Sequence, residues 1–459
     1  MQHKYRPRQG LAAIAALSLA LTVAPISVFA ELKPGDKLDK SNCQEAKGML
    51  PEHVMEKFCD GKYAAEIIEV KDEAFQYSKK FKEGSEANAG KYYITDQGYL
   101  YETATKEWPH YWYGFPFPAV DETDPQAADK VMYNHQVARF QVDDVYWFTS
   151  IKWITPNGFD RNVDAGAYVT WYIGRHSGPI DNPDDCYLKD MIFGVAPYDV
   201  VGVSTLEWWH TDPTQWQSIW AFVPTIRRVR RLTASNSSEG LFGSIMARDD
   251  GYGGWSGKIQ YQNWKLVGVQ DMLVPIAPGG IEKAMIPGDP MPKKLAFDPS
   301  QIKGRGQIPP GQVARITWPS EEQVKYGYET PGWTGVAWAP TNLKLAKRRC
   351  WVIEGAPKDP YYAAGRRVIY IDKTAYWGYW GTIYDRAGEY WKTLIWMDKM
   401  AYTPGRDMTT RHPFWGLGED VRQNRASYLD LHSRGTFTEY ESGFPDSTYT
   451  TTNLSAMGK

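Results

Sequence analysis

Three stretches of the chain carry apolar residues on both faces of an extended strand. They are residues 145–153, 167–173 and 215–223. In the last of them Trp220 and Phe222 share one face, while Ile219 and Ala221 share the other. Because side chains alternate along a strand, both faces of these strands must be covered. The pattern is typical of a sheet that curls around a filled interior and is packed outside by helices or loops, and equally of a two-layer sandwich.

Short strand-like segments separated by turns recur in two other parts of the chain. They are residues 92–101, 366–376 and 382–391, the last continuing to residue 397. Gly98 can take the positive φ that the first turn needs. Successive short strands at this spacing indicate a meandering antiparallel sheet. We therefore predict a mainly β protein of α+β character, built on a large antiparallel sheet.

Helical patterns are concentrated near the start. Residues 42–47 and 51–58 predict two short helices, the first capped by Asn42 and the second begun by Pro51. No linker rich in Pro, Gly and Ser divides the chain, so we predict a single β domain over residues 31–445 with short N-terminal helices. Residues 446–459 are polar and rich in Thr, and we expect them to form a loose tail.

The first thirty residues have the order of a secretory signal. Lys4, Arg6 and Arg8 precede an uncharged run over residues 11–24, and small residues precede a cut after Ala30. The alternative is an N-terminal membrane anchor, but the run is shorter than the roughly 20 residues that a bilayer requires. We expect cleavage after Ala30 and a mature protein in the periplasm.

Composition changes this picture in two ways. The net charge of −2 and the pI of about 6.5 provide no field that would attract nucleic acid, so we predict no nucleic-acid partner. The chain holds 20 Trp, 30 Tyr and 16 Phe. Aromatic residues suit the half-buried faces of sheets and also line concave sites for apolar or sugar ligands.

Four cysteines in an oxidising compartment predict two disulfides. None of them has the C-x-x-C spacing of a zinc or thiol-exchange site. Of the three connectivities we favour Cys43 with Cys59, which closes a helical hairpin, and Cys186 with Cys350, which ties distant strands together.

Four arginines fall within five residues: Arg227, Arg228, Arg230 and Arg231. Alternation places Arg227 and Arg231 on one face and the other two on the opposite face. One interpretation is a structural network in which Arg227 and Arg231 pair with Asp249 and Asp250. The other is a cationic mouth, in which Arg228 and Arg230 receive the anionic head of a lipid.

Motifs for catalysis are weak in this sequence. The eight histidines show no H-E-x-x-H spacing, and there is no G-x-S-x-G elbow. Residues 251–257 are rich in Gly but match neither nucleotide-binding pattern, and we interpret them as a tight turn. We predict a non-enzymatic protein and identify no metal ligand or cofactor site.

Several motifs together resemble a known family. They are residues 113–118, 124–130, 223–231, 249–250, 367–372 and 384–392. They are similar to the secreted family catalogued as domain of unknown function 1329, whose fold resembles that of the LolA/LolB periplasmic lipoprotein carriers. The resemblance implies a curved antiparallel half-barrel around plug helices, a hydrophobic cavity, and association with an inner-membrane exporter and an outer-membrane protein. Thr225 and Ile226 replace a glycine-containing turn that the family pattern leads us to expect.

Three functions remain open from the sequence. The first is a carrier or chaperone for a lipid or other hydrophobic molecule. Its predicted ligand-binding residues are Trp147, Trp171, Trp216, Trp220, Phe222, Arg228 and Arg230. The second is a carbohydrate-binding protein or glycosidase, because Trp and Tyr stack on sugar rings. The third is a structural partner of an outer-membrane complex, which a filled interior and a large outer apolar patch would favour.

Overall fold

The computed structural model describes nearly all of the chain after the first thirty residues. The described ranges are 31–139, 142–280, 282–284, 286–287, 314–316, 323–403, 408–431, 437–440 and 443–457. Within the chain, Leu32–Lys459 group into one compact unit. The predicted signal peptide, residues 1–30, lies outside the described residues.

The helices are few and short. They are α1 (Glu52–Cys59), α2 (Lys79–Ala87), α3 (Ala127–Ala138), α4 (Gly251–Gly254) and α5 (Thr451–Met457). A 3-10 turn at Cys43–Ala46 precedes α1, close to where the sequence predicts its first helix. Cys43 and Cys59 form the predicted disulfide, which links this turn to the end of α1. No helix in the described ranges is long and apolar enough to span a membrane.

The rest of the chain is dominated by strands. The strands are β1 (Lys37–Leu38), β2 (Ala65–Ile68), β3 (Tyr92–Ile94), β4 (Leu100–Glu102), β5 (Asp144–Thr155), β6 (Gly158–Trp171), β7 (Cys186–Ala196), β8 (Ser204–His210), β9 (Ser218–Val223), β10 (Arg228–Leu232), β11 (Gln262–Ile276), β12 (Glu282–Ala284), β13 (Ile286–Pro287), β14 (Ala314–Ile316), β15 (Lys344–Pro357), β16 (Arg366–Asp372), β17 (Gly378–Tyr384), β18 (Tyr390–Thr403), β19 (Met408–Asp420), β20 (Arg425–Asp430) and β21 (Phe437–Tyr440). β3 and β4 form a separate hairpin, at the place where the sequence predicts one.

The main sheet runs in the order β10-β9-β8-β7-β6-β5-β20-β19-β18-β17-β16-β15-β11. Every neighbouring pair in this order is antiparallel. β10 and β11 stand at its two ends and do not pair with each other in the described part of the chain. The sheet is therefore open, and the fold is the predicted mainly β half-barrel.

Helix α3 fills the hollow of this half-barrel as a plug. Ten of its twelve residues are buried, which is unusual for a helix and requires that its polar side chains find partners inside. The Asn134 side chain pairs with the backbone of Phe117 through both its oxygen and its nitrogen. The Nδ1 of His135 contacts the carbonyl oxygen of Tyr376 at 2.8 Å. Burial lowers the pKa of His135 to about 4, so this histidine is neutral in the plug.

The two faces of the sheet from β5 to β10 pack against different partners. On the outer face, aromatic side chains from successive strands form a core of their own, which includes Tyr146, Tyr168, Phe193, Phe222 and Leu454. On the inner face, Trp147 and Ala167 belong to the main core with the plug. Both faces of β5 and of residues 163–171 in β6 are covered, as the apolar pattern predicts.

The predicted loose tail is wrong for residues 446–457. Leu454 of α5 is fully buried against the outer face, and so is Tyr449 just before the helix. The Nε1 of Trp208 donates to the carbonyl oxygen of Tyr449 at 3.0 Å. The segment is polar in average composition, but its few apolar residues meet the aromatic outer face of the sheet, which stabilises them there.

The predicted Cys186–Cys350 disulfide is also wrong. Both residues are buried free thiols. Cys186 begins β7 and Cys350 lies in β15, and seven strands separate β7 from β15 in the sheet order. A disulfide needs Cα atoms within about 7 Å, so each cysteine is held in a different part of the sheet and packs there as a small apolar residue.

Candidate functional site

The inner face of β5 and β6 borders a cavity of about 70 Å³, here called the inner cavity. Trp147, Thr149 and Ile151 point into it from β5, and Ala165 and Ala167 from β6. The two alanines leave this space because no larger side chain reaches across it from β6. Almost all of the other wall residues are apolar, among them Ile192, Met246, Tyr252 and Trp396. The walls suit an apolar molecule.

A second cavity of about 160 Å³, here called the edge cavity, lies on the same face nearer β10. Thr205, Glu207, Ile219 and Leu232 line it from β8, β9 and β10. Leu241 and Arg248 are walls of both cavities. The segment that carries these two side chains therefore borders both the edge cavity and the inner cavity.

Residues 233–261, here called the cover segment, close both cavities on the side opposite the strands. Phe242 borders the edge cavity and Tyr252 the inner one. Both take left-handed φ angles, 50° for Phe242 and 46° for Tyr252. Bulky residues are strained there, since their Cβ atoms crowd the backbone. The parts of the cover segment that fill the hollow are therefore held against a local conformational cost.

Arg248 forms a buried ionic cluster at the boundary between the cavities. Its Nε donates to Oε1 of Glu207 at 2.7 Å, and its Nη2 contacts Oδ2 of Asp190. The Nε1 of Trp209 donates to the other Glu207 oxygen at 3.0 Å. Burial, opposed by Arg248 and reinforced by the charge of Glu207, raises the pKa of Asp190 to about 7. One guanidinium thus serves two carboxylates, one of which titrates near neutrality.

Asp249 and Asp250 are buried as predicted, but their partners differ from the predicted ones. Asp250 pairs with Arg367 at 3.4 Å and with Lys392 at 3.8 Å. Asp249 accepts a hydrogen bond from the Tyr362 hydroxyl at 2.9 Å, and burial raises its pKa to about 7. The assignment of Arg227 and Arg231 to this network is wrong. Chain proximity suggested them, whereas strands β16 and β18 supply the cations.

All four clustered arginines lie exposed on the hairpin of β9 and β10. Arg228 and Arg230 face the inner side of the sheet together with Leu232, which lines the edge cavity. Arg231 faces the outer side, where its Nη2 donates to Oγ of Ser218 at 3.4 Å. The predicted cationic mouth thus has a place at the open edge of the sheet. Its role in binding stays a prediction.

The predicted aromatic wall is divided between different surfaces. Trp147 lines the inner cavity, with its ring 5.3 Å from that of Tyr252. Trp171 is buried in the main core outside the inner-cavity wall. Trp216 is 47 % exposed and stacks on Tyr261. Trp220 and Phe222 pack on the outer face beside α5, which corrects their assignment to the cavity wall.

Sequence reasoning missed Ala165, Ala167 and Arg248. No motif marks them, because an alanine on a covered strand and an arginine in a loop are common in any chain. Among the described residues, no group of three or more His, Cys, Asp or Glu side chains is placed to hold a metal ion. The arrangement offers apolar space bordered by a buried ionic cluster.

Comparison with known families identifies the chain. The family model described as protein of unknown function (DUF1329) matches residues 37–454. The chain belongs to the DUF1329 family. No curated protein matches it.

Solved structures that resemble this DUF1329 protein are distant. One is a putative outer membrane lipoprotein-sorting protein domain from Vibrio parahaemolyticus, at 12 % identity and a TM-score of 0.44, covering 71 % of this chain and 97 % of that one. A DUF1329 family protein from Desulfovibrio piger has 14 % identity and a TM-score of 0.44, covering 72 % of this chain and 100 % of that one. A LolA superfamily protein from Nitrosomonas europaea has 11 % identity and a TM-score of 0.39, covering 71 % and 98 %.

Proposed function

We propose that this DUF1329 protein is a non-enzymatic carrier or chaperone that binds a lipid or other hydrophobic molecule. The observation that carries the proposal is the pair of cavities on the inner face of an open sheet, with apolar side chains forming nearly all of the inner one. Each methylene transferred from water to such walls contributes about 0.8 kcal/mol. An acyl chain therefore gains affinity without any polar chemistry.

The ligand enters by moving the cover segment. The inner cavity, at about 70 Å³, is well below the roughly 300–1,000 Å³ of pockets for drug-sized ligands. Moving Leu241, which borders both cavities, would join them into one longer channel that ends near β10. The left-handed Phe242 and Tyr252 favour this motion, because leaving their strained conformations offsets part of its cost.

The compartment that suits this function is the periplasm. The Cys43–Cys59 disulfide supports an oxidising compartment, as does the signal pattern of the first thirty residues. An inner-membrane exporter and an outer-membrane protein are the partners proposed for loading and release. In this proposal Arg228 and Arg230 lie beside the channel opening.

The test is native mass spectrometry with organic extraction on the protein purified gently from a periplasmic extract. We expect a stoichiometric lipid or similar molecule that denaturation releases. Ala167→Phe, which fills the inner cavity, should lower its occupancy at least tenfold. Ala104→Phe, in an exposed turn, is the matched control and should leave occupancy unchanged.

Two results would overturn the carrier proposal. One is a protein that carries no ligand and takes up none of the lipids added to it. The other is equal occupancy in the Ala167→Phe variant and the wild type. The sugar-binding and structural-partner alternatives would then be the ones to pursue.

A further inference from the structure

Arg139 lies at the C-terminal end of the plug helix and is only 6 % exposed. Its Nε donates to the carbonyl oxygen of Gln136 at 3.2 Å. Within the described ranges no carboxylate lies within 4.0 Å of its guanidinium. Burial lowers the pKa of Arg139, because its surroundings do not compensate its charge.

This lack of a counter-charge separates Arg139 from the other deeply buried arginines. Arg175, Arg348, Arg367 and Arg411, which are buried to a similar degree, each pair with at least one aspartate. A buried charge is costly unless it is paired and hydrogen-bonded. In the part of the chain that the structure describes, four such guanidinium groups have a carboxylate partner and the fifth, Arg139, has none within 4.0 Å.

The neighbours of Arg139 connect it to the space inside the sheet. Its guanidinium carbon lies 5.9 Å from the ring centre of Tyr252, which is a wall of the inner cavity. It lies 6.0 Å from the ring of Trp209, which together with Gln136 lines a smaller cavity of about 40 Å³. Aromatic faces on two sides hold the cation without neutralising it.

We infer that Arg139 binds the head of the ligand, and that the ligand is a single-chain carboxylic acid. The inference rests on the proposed carrier function. The two Nη groups, which make no hydrogen bond to a described residue, donate to the carboxylate oxygens. The hydrocarbon chain lies along Trp147 and Ala167, in the channel that joins the two cavities once the cover segment has moved. The planar guanidinium fork matches a carboxylate in geometry.

The carboxylates near Arg139 favour a ligand head with a single negative charge. Asp190 and Glu207 already share Arg248, and Asp249 lies close enough to act on Arg139 electrostatically. A second negative charge on the head would face these carboxylates, so a monoanion suits the site better than a dianion. The head is bound inside the sheet rather than by Arg228 and Arg230, whose exposed charges are screened by salt.

The test compares palmitic acid with hexadecanol, two ligands of equal chain length, by equilibrium binding to the delipidated protein. For the wild type we expect the acid to bind at least tenfold more tightly than the alcohol. Arg139→Met should abolish this preference and leave alcohol binding within about twofold. Arg349→Met, at an exposed arginine of β15 that lines none of the three cavities, is the matched control and should retain the full preference.

Arg139→Met removes a buried unpaired charge, so the ligand-free variant should unfold at the same or a higher temperature than the wild type. Arg139→Lys keeps the charge and loses the planar fork. It should bind the acid at an affinity between those of the wild type and Arg139→Met, which provides a second variant that does not depend on the first.

The outcomes separate this inference from the proposed function. If the wild type binds both ligands equally, or if Arg139→Met keeps the preference, the inference is wrong and the carrier function stands. If neither ligand binds, the single-chain inference is wrong, and the carrier function is wrong as well only if native mass spectrometry also finds no bound or added lipid. If hexadecyl phosphate binds more tightly than the acid and depends on Arg139, the head is a phosphate and the carboxylate assignment is overturned.

Discussion

The two halves of the sheet bury their inner faces in different ways. From β5 to β10 the inner face carries small or polar residues such as Ala165, Ala167 and Thr205, and cavities of about 70 and 160 Å³ remain. From β19 to β11 the inner face carries larger side chains, and Trp351, Ile369 and Leu394 are almost fully buried there. We call these the cavity half and the filled half.

The two halves differ in how completely their interiors are packed. The filled half has the close packing of an ordinary core, in which every removed methylene destabilises the fold. The cavity half gives up part of this packing, and its interior depends on the cover segment for closure. A binding protein needs such a region, since space for a ligand is contact area that the empty protein lacks.

The largest expected effect comes from removing one tryptophan in each half. Trp351→Ala, in the filled half, should lower the free energy of unfolding by about 3–5 kcal/mol, because rigid surroundings leave a cavity behind. Trp147→Ala, in the cavity half, should cost clearly less, since the cover segment can collapse into the space. Urea unfolding of both variants measures this, and equal losses would contradict the distinction between the halves.

The ionic cluster of the cavity half predicts a pH dependence. The pKa of Asp190 is about 7 in the folded protein, above its unfolded value of 3.8. The folded state therefore keeps a proton that the unfolded state has released, and this contribution to stability is lost as the pH rises towards and through 7. Between pH 5 and pH 7 the free energy of unfolding of the wild type should therefore fall by about 2 kcal/mol more than that of Asp190→Asn.

Thermal or urea unfolding across that pH range checks the prediction. Asp39→Asn is the control, because the pKa of Asp39 is lowered to about 2 by hydrogen bonds from Ser41 and its titration lies below the range. Parallel stability profiles for the wild type and Asp190→Asn would show that Asp190 is ionised throughout.

Enlarging an alanine, instead of removing a tryptophan, should also distinguish the two halves. Ala346→Leu, in fully packed β15, should cost about 1–3 kcal/mol because the added atoms have no room. Ala165→Leu, on the wall of the inner cavity, should change stability by less than about 1 kcal/mol. Denaturant midpoints measured side by side test this, and a large penalty at Ala165 would mean that the cavity cannot accept added atoms.

The smallest effect concerns the two free cysteines, one in each half. Cys186→Ala should cost only about 1 kcal/mol, whereas removing a disulfide that closes so long a loop would cost about 4 kcal/mol or more. Thiol titration of the unreduced, denatured protein should find two thiols per chain. A count of zero would mean that a covalent bond ties the halves together.

Much of the architecture follows from local patterns. Apolar residues on both faces of residues 145–153 predict a strand that is covered on both sides, and β5 is such a strand. β9 packs in the outer core on one face and borders the edge cavity on the other. The helical turn at Cys43 and helix α1 follow from residue types, and from signals for the start of a helix, within a few positions of the chain. Cys43 and Cys59 are also near in sequence, so their disulfide was the simplest pairing.

Pairings between distant residues were predicted poorly. The sequence offered Arg227 and Arg231 as partners for Asp249 and Asp250, but Arg367 and Lys392 pair with Asp250. The most conspicuous arginines are exposed at an edge, and Arg139, which no motif marks, is buried in the plug. Burial, rather than residue type, decides whether a charge needs a partner.

The covered strands, the aromatic composition and the helical hairpin can be derived from the sequence alone, because they depend on periodicity and on neighbours along the chain. The placing of Trp147 on the inner face and of Trp220 on the outer face depends on the tertiary structure, as do the cations that pair with the buried aspartates and the positions of the cavities. Sheet register sets the face on which a side chain lies. A cavity remains where side chains from strands far apart in sequence do not reach across the interior.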